Sequence, residues 1–318
     1  MNNRMNSPDT MRIGIVEVGS RSIRLMVANF KPDGSFKADR TGSGMHRIDI
    51  NQLDAGVITT LWSEVDKYYQ ELKRFNCDRV MVYGTALCRR IASLPGQQIP
   101  IYLHVLSPEE EAVASWAAGF ICVRGENSDR RYTIIDQGGG STEITTATWT
   151  GNTIEKVRYD SIEIGNERIM DIFSRAGATY AKTIHGLLEE YDDKIIRHKS
   201  VERSQVYLLG SVATKIAWLK VRKGIDDFYK PYLVNDVKLN VREIYDLHAS
   251  ILKIFRRDPE QARALIDARL SAEDEFARVM SGSVFLMMVA LKLGYQEVSV
   301  SGYGVRHGMA FLARRGVI

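Results

Sequence analysis

Hydrophobic positions along the chain follow two alternating periods. MRIGIVEV (11–18) and SIRLMVANF (22–30) are strand-like apolar runs separated by the turn GSRS. From Asp54 to Phe75 the apolar residues fall at Val57, Ile58, Leu61, Val65, Tyr68, Tyr69, Leu72 and Phe75, the spacing of one helix face. DRVMVYG (78–84) and IYLHVLS (101–107) again read as buried strands, the second followed by a helix. TIIDQGGGSTEITT (133–146) is a strand cut by three glycines and resumed at once, with another strand at about 153–162. Beyond it the pattern predicts helices at about 165–174, 177–199, 211–221, 241–255, 258–269 and 273–293. Strands are expected near 204–210 and 297–301. Strands interleaved with helices define an α/β protein.

Composition narrows this only at the margins. The 318 residues are 45% apolar and 26% charged, enough for one large or two medium domains. No apolar run approaches the roughly 20 residues of a membrane span, and the polar start MNNRMNSPDT is not a secretory signal. Cys77, Cys88 and Cys122 lack CxxC spacing, which points to a reducing cytoplasm. The six histidines form no HxH or HExxH group, which argues against zinc. A net charge of +4 favours a polyanionic substrate without marking a DNA-binding protein.

Two places share one design. Val16-Glu17-Val18-Gly19-Ser20-Arg21-Ser22 and Ile135-Asp136-Gln137-Gly138-Gly139-Gly140-Ser141-Thr142 each run from an apolar strand through a carboxylate into a glycine turn with hydroxyls. Glu17 and Asp136 stand 119 positions apart, about one domain length. Glycine lets turn amides approach an anion closely, and successive N–H groups form a concave nest for phosphate oxygens. The adjoining carboxylate would repel phosphate unless a hard cation such as Mg²⁺ lies between them. Each turn taken alone is equally the signature of a plain β-hairpin. In Ser107-Pro108-Glu109-Glu110-Glu111-Ala112, Ser107, Pro108 and Glu110 form a helix start with a capping box. Glu111 is not needed for the cap and is free for general-base work, although capping and solvation by themselves account for the run.

Taken together, these segments resemble the exopolyphosphatase/guanosine pentaphosphate phosphohydrolase (Ppx/GppA) family of the sugar kinase–Hsp70–actin superfold. The likeness is carried by Glu17–Ser22, Thr85-Ala86, Ser107–Ala112, Asp136–Glu143, Ile164–Arg168, Gly210-Ser211 and Tyr303–Gly308, with the DQGGGSTE block the most specific. It implies two actin-like (ribonuclease H-like) domains with an interdomain cleft and Mg²⁺-dependent release of terminal phosphate from polyphosphate or guanosine pentaphosphate. It further implies Glu111 as catalytic base, and phosphate loops at Gly19, Ser20, Arg21, Ser22 and at Gly138, Gly139, Gly140, Ser141, Thr142. Asp136, Glu17 and Glu143 would serve the metal, and the family commonly forms homodimers. The expected domains are 1–124 and 125–318, with a last helix at about 302–315 packing back on the first. The extra C-terminal helical domains of longer members are expected to be absent.

Departures accompany the resemblance. Glu17 and Arg21 stand where the family has Asp and Asn; Cys88 occupies an arginine position, for which Arg89 and Arg90 are candidate substitutes. Glu275-Phe276-Ala277 stands where the family has Arg-Ala-Asp. Arg21, Arg24, Arg47, Arg89 and Arg90 are candidates for gripping a polyphosphate. Two other readings share the fold: a phosphotransferase using ATP or acetyl phosphate, and a non-catalytic sensor of polyphosphate or guanosine polyphosphate.

Overall fold

The computed structural model describes residues 10–19, 22–31, 35–45, 53–123, 131–150, 153–199, 204–222, 231–266 and 273–318. It forms two compact units, Met1–Ala114 with Met309–Ile318, and Ser115–Gly308. The division falls within a helix and lies earlier than the loop near 124 where composition suggested it.

The first unit holds β1 (Met11–Val18), β2 (Ser22–Phe30), β3 (Phe36–Met45), α1 (Ala55–Lys73), β4 (Arg79–Gly84), α2 (Ala86–Ala92) and β5 (Leu103–Val105). α3 (Pro108–Phe120) leads into the second unit. The sheet order is β3-β2-β1-β4-β5; β1, β2 and β3 pair antiparallel, while β4 and β5 add in parallel. α1 starts where the Asp54 side chain accepts from Val57 N at 2.8 Å, the N-cap arrangement. Its buried stripe of Ile58, Leu61, Val65 and Leu72 packs with Val16, Val18, Leu25 and Val27. Because side chains alternate along a strand, Ile15 and Glu17 project to the opposite face of the sheet.

The second unit repeats the plan. β6 (Arg131–Gln137), β7 (Thr142–Trp149) and β8 (Ile154–Ile162) form an antiparallel meander followed by α4 (Asn166–Ala176), α5 (Tyr180–Glu189) and α6 (Asp192–Ile196). Then come β9 (Gln205–Leu209), α7 (Ser211–Val221), β10 (Val237–Asn240), α8 (Val241–Phe255), α9 (Pro259–Ile266), α10 (Glu273–Lys292) and β11 (Glu297–Val300), after which α11 (Val305–Arg314) passes into the first unit at Met309. The order β10-β11-β9-β6-β7-β8 contains the same core as the first sheet: a three-stranded meander extended in parallel from its first strand. The architecture is therefore α/β with a duplicated sheet.

One face of this sheet, with Ile135, Ile144, Leu208 and Val300, packs against α4, α7, α8 and α10. The other receives α3, whose Trp116 donates through Nε1 to Tyr132 O at 3.0 Å and stacks on Phe120 at 5.2 Å. Gly119 permits that approach: a Cβ there would stand 2.2 Å from Ile134 Cδ1. A buried chain of polar groups crosses the sheet. The Tyr295 hydroxyl donates to Thr133 Oγ1 (3.2 Å), which bonds Thr146 Oγ1 (3.0 Å). That hydroxyl meets His198 Nδ1 (2.8 Å), and His198 Nε2 meets Asp160 Oδ2 (3.1 Å).

Five elements differ from the periodicity, two of them, α2 and β10, being short elements that it does not predict. The expected helix 177–199 is broken into α5 and α6, with Gly177 at φ +51 just before α5; Ile184, Leu188 and Ile195 keep one buried stripe across the break and so hide it. β3, with sequence FKADRTGSGM, lies at the sheet edge without apolar alternation. Only Leu103–Val105 of 101–107 is strand.

Candidate active site

The two glycine turns close in the same way. Gly19 N donates to Ser22 O and Gly138 N to Ser141 O, both at 2.9 Å. Glu17 pairs across the hairpin with Arg24, and Asp136 with Glu143. A helix follows the parallel neighbour in each case, at Gly84-Thr85 and at Gly210-Ser211. Thr85 N donates to Val18 O at 3.1 Å, and at Gly210 (φ +100) a Cβ would lie 2.6 Å from Gln137 O. The repetition at a spacing of 119 is thus a property of the fold as well as of the sequence.

The second turn is the more elaborately built. Its carbonyls face the first turn of α4: Asn166 donates to Gly138 O through its backbone N (3.0 Å) and through Nδ2 (2.9 Å), and Glu167 N donates to Gly139 O (2.9 Å). Peptide units are trans and planar, so a carbonyl turned toward α4 directs the N–H of the same unit the other way. The N–H groups of Gly139 and Gly140 consequently point away from α4 as a pair of donors. None of Gly138, Gly139 and Gly140 has a positive φ, so no left-handed backbone calls for glycine there. Gly165 is needed for the clamp, since a Cβ on it would sit 2.3 Å from Gly139 O and 2.5 Å from Gly140 C. Gly165→Ala is expected to displace the loop, lower phosphate affinity by about 10²-fold and destabilise the fold by about 1–3 kcal/mol. Calorimetric titration with orthophosphate beside a thermal melt checks this; wild-type affinity in the variant would separate the clamp from binding.

Asp136 lies on the α3 face of the sheet and accepts from Ser115 Oγ at 2.7 Å. Glu143, directly across the ladder, accepts from Ser141 Oγ (2.6 Å) and Ser161 Oγ (3.2 Å). Two carboxylates facing each other on one side of an antiparallel pair repel, with Cβ atoms about 5 Å apart. A cation relieves that repulsion. Among the described residues no group of three or more His, Cys, Asp or Glu could hold a metal, so a protein-only cage is not present. An Mg²⁺ ion takes one or two carboxylates and fills its remaining positions with water and substrate phosphate, which suits this pair.

Other expected residues are committed elsewhere. The Thr142 hydroxyl is fully buried and donates to Ile164 O at 2.7 Å, tying the loop to the segment before α4 instead of facing a ligand. Ser22 Oγ accepts from Arg24 Nε at 3.1 Å, and Glu17 is buried. Ser20, Arg21 and Arg47 lie outside the described residues. Cys88 is a core side chain: it is fully buried, burial pushes its thiol up to about 12, and its Sγ would stand 2.2 Å from a Cβ on Gly84.

Around Glu111 the capping box forms as expected. Glu110 N donates to Ser107 Oγ (3.1 Å) and Ser107 N to Glu110 Oε2 (2.7 Å). That backbone bond, offset by burial and aided by His104, holds the Glu110 carboxyl below the usual range. Glu111 instead accepts from Arg89 Nη1 at 2.8 Å, and the same nitrogen donates to Leu106 O at 2.9 Å. Arg89 therefore holds the glutamate, a different task from gripping phosphate directly, while Arg90 remains exposed.

The Ppx/GppA phosphatase family model matches residues 49–313. The chain belongs to the Ppx/GppA phosphatase family. Its solved relatives include the Aquifex aeolicus family member, at 20% identity over 96% of this chain and 97% of that one, with a TM-score of 0.73. An exopolyphosphatase from Cytophaga hutchinsonii is 17% identical over 96% and 98% of the two chains, with a TM-score of 0.70. These likenesses establish a shared Ppx/GppA fold. No curated protein matches the sequence. The first glycine turn, Glu17–Ser22, precedes the span matched by the Ppx/GppA model.

Sequence reasoning overlooked the residues that shape the loop. Gly165 and Asn166 were visible only as part of a family segment, and Gln137 only as a strand position. Gln137 is 2% exposed, and both atoms of its amide lack a partner among the described residues; so does Asn166 Oδ1. Buried amides without partners cost about 1–3 kcal/mol each, and in native proteins they concentrate where water or ligand completes the bonding. A polar residue ending an otherwise apolar strand was the available signal.

Proposed function

We propose that the chain is an exopolyphosphatase-type hydrolase that removes the terminal phosphate from polyphosphate or guanosine pentaphosphate with Mg²⁺. The observation that carries this reading is the clamped glycine loop, whose N–H pair is turned away from α4 and which joins the strands that carry the opposed Asp136 and Glu143. Family membership supports the phosphohydrolase class. The loop amides would bind phosphate oxygens, and Ser141 would hold Glu143 in position. Asp136 and Glu143 would hold Mg²⁺, which supplies charge neutralisation at the transferred phosphoryl group. Glu111, oriented by Arg89, would accept the proton of the attacking water. A cytoplasmic homodimer is the expected form of the enzyme. Among the described residues no helix is long and apolar enough to cross a membrane.

Phosphate release from long-chain polyphosphate and from guanosine pentaphosphate, each with and without Mg²⁺, tests the assignment. Asp136→Asn is expected to lose activity and Mg²⁺ activation together, by about 10²-fold or more. A folded Asp136→Asn variant with unchanged metal activation would remove Asp136 from the site. Phosphate transfer that requires an acceptor other than water would instead identify a kinase.

A further inference from the structure

The first unit contains a concavity that the phosphate chemistry does not use. A cavity of about 540 Å³ is bounded by β4, by Tyr102 and His104, by Glu109, Glu110 and Val113 of α3, and by Met309 and Leu312 of α11. That volume falls within the roughly 300–1,000 Å³ of small-molecule sites, which combine an apolar wall with a few polar groups. Val80, Met81, Val113, Met309 and Leu312 supply the apolar wall, and Val80 and Ile318 remain about two-fifths exposed at 38% and 39%.

The charged groups on the lining are unequal. Arg79 Nη1 donates to Ile318 O at 2.7 Å and to Ala313 O at 3.5 Å, which holds the guanidinium toward the chain end. Glu110 is engaged with Ser107 and with His104 Nε2 at 3.0 Å. Glu109 is exposed and makes no hydrogen bond or ion pair among the described residues. The lining therefore offers apolar surface beside a solvated carboxylate, Glu109, with no protein partner among the described residues.

We infer that this cavity is a binding site for a small organic cation, with an apolar stem against Val80, Val113 and Leu312 and an ammonium group at Glu109. The site differs in chemistry from the glycine loop: it turns a carboxylate to its ligand where the loop turns amide donors. It also shares a helical turn with Glu111: Glu109 and Glu110 line the cavity, and the next residue meets Arg89.

The test is a titration of the full chain with hexylammonium, followed by ¹⁵N chemical shifts of α3 and β4, beside hexanoate and 1-hexanol. Hexylammonium is expected to saturate these shifts and to bind at least tenfold more tightly than hexanoate. Glu109→Gln is expected to weaken it roughly 2–5-fold, the scale of an exposed ion pair. Glu109→Lys is expected to invert the preference toward hexanoate. Val80→Trp fills the mouth and is expected to abolish saturation with an unchanged thermal midpoint. Equal binding of hexanoate and hexylammonium, or an unaltered preference in Glu109→Lys, would overturn the inference. None of these readouts depends on phosphatase activity, so they stand or fall apart from the proposed reaction.

Discussion

Glu111→Gln lowers steady-state phosphate release by about 10²–10⁴-fold, the usual contribution of a positioned general base. The variant keeps the volume and polarity of the side chain, and its amide oxygen still accepts from Arg89, so substrate affinity and thermal stability change little. Glu110→Gln gives the opposite pattern. Its carboxylate closes the capping box on Ser107, a duty the amide oxygen continues with a neutral acceptor, so stability falls slightly and turnover stays near normal. Single-turnover rates for the two variants, measured with Mg²⁺ in excess, decide the assignment. A fully active Glu111→Gln protein would show that α3 does not carry the base.

The second large effect is acid destabilisation of the second unit. His248 is 8% exposed, bonded at Nδ1 to Ser283 Oγ (3.1 Å) and at Nε2 to the Tyr180 hydroxyl. Burial depresses its pKa to about 4, against a smaller opposing contribution from the Met280 backbone. His198 is fully buried, and burial likewise lowers its pKa, opposed by Asp160 and reinforced by Arg158 and Arg131. Both folded pKa values lie below the ordinary value of 6.5, so the unfolded chain binds protons first as pH falls. The stability of the neutral pair is complete above about pH 6.5 and is lost progressively toward pH 4. For His248 the loss between pH 7.5 and 5 is roughly 2 kcal/mol, a large share of a typical 5–15 kcal/mol, and His198 adds to it in the same direction. Urea unfolding at the two pH values measures it, and equal midpoints would show that neither histidine is held neutral by the fold.

Local chemistry was readable in the sequence, and long-range commitments were not. The capping box at Ser107 and Glu110 depends on residues three apart, so their identities sufficed. The glycine hairpin likewise announced itself between two apolar runs. Thr142 looked like a ligand for phosphate because its hydroxyl adjoins the glycines, but its partner Ile164 O lies 22 residues away. Arg89 stood as a candidate phosphate ligand because a family arginine position falls beside it at Cys88, but its partner Glu111 lies 22 residues on. The Asn166 clamp spans 28 residues and leaves no periodic trace. β3 was missed because an edge strand needs no apolar alternation to be satisfied.

The clamp between the glycine loop and α4 has an electrostatic consequence. Each peptide unit is a dipole of about 3.5 D, and α4 aligns its own units with their positive end at Asn166. The units joining Gly138 to Gly139 and Gly139 to Gly140 present their negative carbonyl ends to that terminus. They therefore stack head to tail with the helix and extend its macrodipole by two members. The positive pole is carried outward from the buried start of α4 to the N–H groups of the glycines. A helix of 11 residues would thus lend its field to an anion held by the loop without touching it.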